Sequence, residues 1–128
     1  MSNVVLVGHC RPDSSYLRLA VLAADPAAQV IRANDEAELA AALENAPALL
    51  LVNRQLDGDF ADSSGIELIR RVRRSHPQVK AMLVSNYADA QKAAVAAGAL
   101  EGFGKRHLSA PRTIELLRSA LLGGVSAG

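Results

Sequence analysis

Ala48-Leu49-Leu50-Leu51-Val52-Asn53 is the stretch on which the fold turns. An aliphatic run with no charge before its final Asn suits a strand buried on both faces, as in a parallel sheet covered by helices on either side. Outward from it, the apolar period alternates between two forms. Upstream, Val4 to Val7 is a short apolar run ended by Gly8, and Asp13 to Ala24 carries Leu17, Val21 and Leu22 at helical spacing before Pro26 stops it. Gln29 to Ala33 reads as a weaker strand. Asn34 reads as the N-cap of a helix from Asp35 to Asn45, whose first turn places Asp35 and Glu36 where the helix dipole favours negative charge. Downstream, a polar loop runs from Asn53 to Ser64 and Gly65 opens a helix through Arg74. Val79 to Ser85 is a fourth strand. Ala88 to Ala97 is an Ala-rich helix with Gly98 at its C-terminus, and a short fifth strand lies around Leu100 to Gly104. Ser109, Ala110 and Pro111 start a last helix that ends near Leu122.

Five strands alternating with five helices, with no internal repeat or linker, demand a parallel sheet covered on both faces by right-handed crossovers. The expected organisation is one domain over 1–122 and a flexible tail over 123–128. Such sheets place their sites at the carboxyl ends of the strands. The residues to interrogate are therefore Gly8 to Arg11, Asn53 to Asp59, Ser85 to Tyr87 and Gly104 to His107.

Composition narrows the function classes. The 128 residues make one ordinary domain and are too few for two comfortable ones. Two Phe, two Tyr and no Trp leave too little for an aromatic platform of the kind that stacks single-stranded nucleic acid. A net charge of +1 implies neither a nucleic-acid nor a polyanionic partner. A single cysteine, Cys10, excludes an internal disulfide framework and a multi-Cys zinc site. With no leader pattern and no apolar run near 18 residues, the expected address is cytoplasmic, with no membrane partner.

At the strand ends the sequence resembles a response-regulator receiver domain, over nearly its whole length. The resemblance rests on Ala48 to Asn53 followed by Gly65 and a helix, and on Met82-Leu83-Val84-Ser85. Its most specific part is Ala97-Gly98-Ala99 with Lys105 seven residues after the glycine. It implies a flavodoxin-like (βα)5 three-layer sandwich with strand order 2-1-3-4-5. It also implies a phosphorelay role and five site positions. These are an acidic pair after the first strand that holds Mg²⁺, an Asp ending the third that takes a phosphoryl group, and a Ser or Thr ending the fourth and a Lys after the fifth that bind its oxygens. Ser85 and Lys105 match two of them.

The other three positions depart from the pattern. Asn53 stands where the phosphoacceptor should be, and a neutral amide is too poor a nucleophile to form an acyl phosphate. Gly8 and His9 stand where the acidic pair should be, whereas Mg²⁺ wants hard carboxylate oxygens in an octahedral array. Without that charge, phosphoryl transfer loses most of what it needs. Arg106 replaces the Pro expected after the Lys. Gly102 lies where a switch aromatic is expected, with Phe103 one position later and on the opposite face if the strand is regular. The loop from Asn53 to Gly65, with Arg54 to Ser64 between, is longer than usual by about four residues when set against the family's pattern. The resulting expectation is a pseudo-receiver with a degenerate pocket of Asn53, Ser85, Lys105, Gly8, His9 and Asp57, no cofactor, no metal and no enzymatic activity.

Several residues admit more than one reading. Asn53 can hold one conformation of the pocket or simply tie down its own loop. Lys105, facing no phosphate, needs a partner, and Asp57 is the nearest candidate by sequence. Asp57 is also an alternative phosphoacceptor. His9, Cys10, Asp57 and Lys105 could form a small ligand-binding or enzymatic site, and His9 with His107 and a carboxylate from Asp57, Asp59 or Asp62 a metal site, although no spacing supports either. The arginines of Arg70, Arg71, Arg73 and Arg74 lie opposite Ile66, Ile69 and Val72, so they read as a solvated face with Glu67 pairing Arg71. The resemblance suggests a protein partner, or a second copy, on the face made by the fourth helix, fifth strand and fifth helix. The leading expectation is a regulatory module acting by protein–protein contact.

Overall fold

The computed structural model describes residues 2–123. Five strands form one parallel sheet in the order β2-β1-β3-β4-β5: β1 Asn3–Val7, β2 Gln29–Ala33, β3 Leu49–Asn53, β4 Lys80–Val84 and β5 Leu100–Phe103. The helices are α1 Arg11–Ala24, α2 Glu36–Glu44, α3 Gly65–Ser75, α4 Ala88–Ala96 and α5 Pro111–Arg118. A single 3-10 turn, Lys105–His107, follows β5, and a wide π-type turn, Ser119–Gly123, follows α5. The expected tail lies, from 124 on, outside the described residues.

The central run explains why the sheet is covered twice. Successive strand residues point to opposite faces, so Leu50 and Val52 pack with Leu39, Leu68, Ile69 and Val72 of α2 and α3. Leu49 and Leu51 pack with Leu17, Val21 and Leu117 of α1 and α5. The three leucines and the valine of β3 are all fully buried. The fold is the doubly wound, flavodoxin-like sandwich that the resemblance implies, in the same strand order.

Local details correct the sequence reading. The cap of α2 is Asp35, not Asn34: its carboxylate accepts from the Glu38 N–H at 2.8 Å, while Glu38 reaches back to the Asn34 N–H at 2.7 Å. Asp35 takes the capping place because its backbone is extended and bridged in parallel to Asp59. The arginine run is only partly a solvated face. Glu67 pairs Arg70, whereas Arg71 binds Asp62 at 2.7 Å and Glu36 at 3.0 Å, because the long loop delivers a second carboxylate to it. Arg73 donates to the carbonyls of Gly98, Pro77 and Val79, tying α3 to both ends of the β4–α4 unit. β5 is not regular either. Met82 pairs Leu100 and Val84 pairs Phe103, so Glu101 and Gly102 together face Leu83 alone, and Phe103 turns into the core beside α5.

The gap left by that bulge is filled by Gln91 of α4. Its Nε2 donates to the Leu83 carbonyl at 2.8 Å and the Ser85 carbonyl at 3.1 Å, and its Oε1 accepts from the Gly102 N–H at 3.1 Å. A side-chain amide thus stands in for a missing ladder pair. Gly102 permits it, since a Cβ there would lie 2.2 Å from the Leu83 oxygen.

Candidate functional site

The carboxyl ends of β1, β3 and β4 meet the turn after β5. Asn53, Arg54, Ser85, Asn86, Tyr87 and Lys105 line one cavity of about 210 Å³ there. The structure therefore brings Asn53, Ser85 and Lys105 together. Each is already engaged. Asn53 Nδ2 donates to the Gly8 carbonyl at 3.0 Å. Ser85 Oγ accepts from the Tyr87 N–H at 3.1 Å. Lys105 Nζ lies 2.6 Å from Asp13 Oδ2. That pairing corrects the sequence reading, which pointed to Asp57: Asp13 in the first turn of α1 faces the sheet end, whereas the exposed Asp57 lies in the loop. The hydrogen bond from Lys105, more than any other cause, holds the Asp13 carboxyl below the usual carboxylate range.

The loop Arg54 to Ser64 accounts for Gly8. Gly8 adopts a left-handed backbone, φ +73°, and its carbonyl also accepts from the Asp57 N–H at 2.9 Å. A Cβ on Gly8 would come within 2.8 Å of Leu56 Cδ2 and 3.2 Å of the Leu56 Cα. The loop thus occupies the space into which an acidic side chain would project. Its far end is fastened to α2: the Glu36 N–H donates to the Asp59 carbonyl at 2.9 Å, and Gly58 passes so close to the Asn34 carbonyl that no side chain fits.

His9 is buried, 1% exposed, with Nε2 donating to the Leu51 carbonyl at 2.8 Å. Its Nδ1 is buried without a partner among the described residues. Burial pushes its pKa down to about 4, so the ring is neutral at ordinary pH. Cys10 stands at the N-cap position of α1, its side chain making no capping bond, and is half-buried. His107 is exposed and lines a separate cavity of about 360 Å³ beside Gln91, Gly102 and Thr113. His9 and His107 are thus not brought to one metal site, and among the described residues no three His, Cys, Asp or Glu side chains are grouped to hold a metal.

The receiver fold implies Mg²⁺ at the ends of β1 and β3, and the residues present do not fit it. Gly8 supplies no side chain, His9 spends Nε2 on a carbonyl, Asn53 is neutral, and the nearby Asp13 carboxylate is held by Lys105. Sequence reasoning missed two residues, Asp13 and Gln91, and gave no role to Arg54, whose guanidinium lies 5.0 Å over the Tyr87 ring. Asp13 alone left a signal, an acid in the first turn of a helix that follows a strand end.

With this geometry the fold is that of response-regulator receiver domains. A response regulator from Thermotoga maritima is 23% identical with a TM-score of 0.73, covering 93% of this chain and 98% of that one. The receiver domain of a DNA-binding response regulator (merR) from Colwellia psychrerythraea 34H is 17% identical with a TM-score of 0.65, covering 83% and 87%. NtrX from Brucella abortus is 19% identical with a TM-score of 0.71; 98% of this chain aligns, against 29% of NtrX, so the likeness spans less than a third of that protein. No family model matches the chain, and no curated protein matches it in sequence. No helix among the described residues is long and apolar enough to cross a membrane.

Proposed function

We propose that the protein is a receiver-type regulatory module that is not phosphorylated at Asn53 and acts through protein–protein contact, in the two-component manner but without enzymatic activity of its own. The observation that carries this reading is the bond from Asn53 Nδ2 to the Gly8 carbonyl. An amide at this place stabilises the loop crossing, whereas a carboxylate would set oxygen against oxygen. Ser85 and Lys105 share the cavity, so the scaffold of the pocket is kept while its nucleophile and metal ligands are absent. Asn53 and Lys105, already bound to the Gly8 carbonyl and to Asp13, favour recognition by a standing conformation over one set by a phosphoryl group.

The contact surface in this reading is the face of α4, β5 and α5. Tyr87, Val95 and Leu100 are exposed there, the latter two on α4 and β5 and Tyr87 at the start of α4. The partner is a signalling protein or a second copy of the chain.

Titration with Mg²⁺ and beryllofluoride, followed by amide NMR, tests the reading on the protein, on Asn53→Asp and on Asp57→Asn. No saturable change in the protein itself is expected. A saturable change in the protein overturns the reading, and its loss in Asp57→Asn would identify Asp57 as the acceptor. A change confined to Asn53→Asp supports the reading and assigns the silence of the pocket to the amide.

A further inference from the structure

Arg11, Arg18 and Arg32 line one cavity of about 200 Å³ with Ser14 and Ser15, on the α1–β2 side of the sheet and away from the pocket described above. The sequence builds it simply. Arg11 and Arg18 are seven residues apart and so share a helix face, with Ser14 and Ser15 between them. Arg32 stands on β2 opposite Leu6 of β1, and Leu6 and Val30 line the cavity beside it.

Two features distinguish this cluster from ordinary surface charge. Arg32 is held in place: its Nε donates to Ser14 Oγ at 3.1 Å and its Nη2 to the His9 carbonyl at 3.2 Å. That leaves N–H groups of a positioned guanidinium for another acceptor, since the group carries five. Moreover, the ion pairs among the described residues all lie elsewhere, on Arg70, Arg71, Lys105, Arg112 and Arg118. None of the three arginines has a carboxylate within ion-pair distance among the described residues. Three cations are thus gathered in a chain whose net charge is +1. Gathering like charges costs energy that a bound anion repays.

We infer that this cavity binds a small doubly charged oxyanion, the phosphomonoester or pyrophosphate group of a soluble molecule. Planar guanidinium forks match phosphate oxygens bidentately, and the Ser14 hydroxyl, which accepts from Arg32, keeps its own proton to donate, whereas Ser15 donates to the Arg11 carbonyl. The volume suits one compact charged group, not a groove that tracks a nucleic-acid backbone. The site shares no lining residue with the Asn53 pocket and lies on the face of the sheet opposite α2 and α3.

Titration of the whole protein with inorganic phosphate, pyrophosphate and a sugar phosphate, at constant ionic strength set with chloride, tests it by amide NMR and calorimetry. Saturable shifts are expected at Ser14, Ser15 and Arg32. Arg11→Gln and Arg18→Gln, both at exposed positions, should each weaken pyrophosphate binding roughly five- to tenfold. Arg54→Gln, in the other cavity, should leave it unchanged. Saturation by the sugar phosphate at lower concentration than inorganic phosphate identifies an esterified ligand; the reverse identifies the free ion. No saturable shift overturns the proposal, as does binding lost in Arg54→Gln but kept in Arg18→Gln. Tighter binding of a short oligonucleotide than of pyrophosphate also overturns it.

Discussion

Lys105, which lines the pocket, and Asp13 form an ion pair, Nζ to Oδ2 at 2.6 Å, joining the turn after β5 to the first turn of α1. The residues are 92 positions apart in the chain. The pair neutralises the one lysine that the receiver pattern reserves for a phosphoryl oxygen, and it does so with an acid that the pattern does not use. Both side chains are about one-third exposed, at 33% and 32%, so the pair is screened and its worth is limited.

Asp13→Asn should therefore cost no more than about 1 kcal/mol at neutral pH. The Asp13 carboxyl is held below its ordinary range in the folded protein, so its contribution is present above that range and lost as pH falls through the folded value. Urea unfolding at neutral pH and at successively lower pH below the usual carboxylate range checks this: the difference between protein and variant should shrink as the pH falls.

His9 makes a larger acid sensitivity. Its pKa is 6.5 in the unfolded reference and about 4 when buried. Between those values the unfolded chain binds more protons, so stability is full above the unfolded value and falls as pH drops toward the folded one. At about 1.4 kcal/mol per pKa unit the loss is about 3 kcal/mol. Stability measured from pH 7 to pH 4 should show this decline, and His9→Gln should flatten it even if the variant starts lower.

Gly8→Asp, which restores an acid at the end of β1, should destabilise rather than build a metal site. The φ of +73° strains any side chain, and Leu56 of the loop already lies 2.8 Å from where the Cβ would be. The expected loss is roughly 1–3 kcal/mol, read as a lower denaturation midpoint. A variant as stable as the protein, gaining Mg²⁺ affinity, would show that the loop yields freely.

Gln91→Glu tests the bulge. A carboxylate accepts from the Gly102 N–H but cannot donate to the Leu83 and Ser85 carbonyls. The variant should lose about 1–3 kcal/mol at neutral pH and regain part of it in acid, where the protonated acid donates again. Amide exchange at Gly102 should quicken in Gln91→Ala.

The doubly apolar β3 run and the helical spacing of Leu17 and Val21 made the sheet and its layers legible from residues, and the resemblance carried by Ser85 and by the glycine seven residues before Lys105 implied the Asn53–Ser85–Lys105 grouping. Periodicity reports which face of an element is buried, and parallel crossovers have one common hand, which gives the covered parallel sheet; the strand order came with the resemblance to receiver domains. Local chemistry did not read as well. Asn34 and Asp35 both suit a cap, and only the bridge to Asp59 decided between them.

What the sequence by itself determined was the covered parallel sheet and the absence of a carboxylate at Gly8, His9 and Asn53, because both depend on residue type and order. What only the tertiary structure decided was which partner each polar group takes. Lys105 finds Asp13 and not Asp57, Arg71 finds Glu36 and Asp62 and not Glu67, Gln91 enters the β4–β5 ladder, and three arginines gather beside Ser14 and Ser15. Hydrogen bonds and ion pairs act over a few ångströms, and the groups that close them here come from elements far apart in the chain, so their choice exists only once the helices are laid on the sheet.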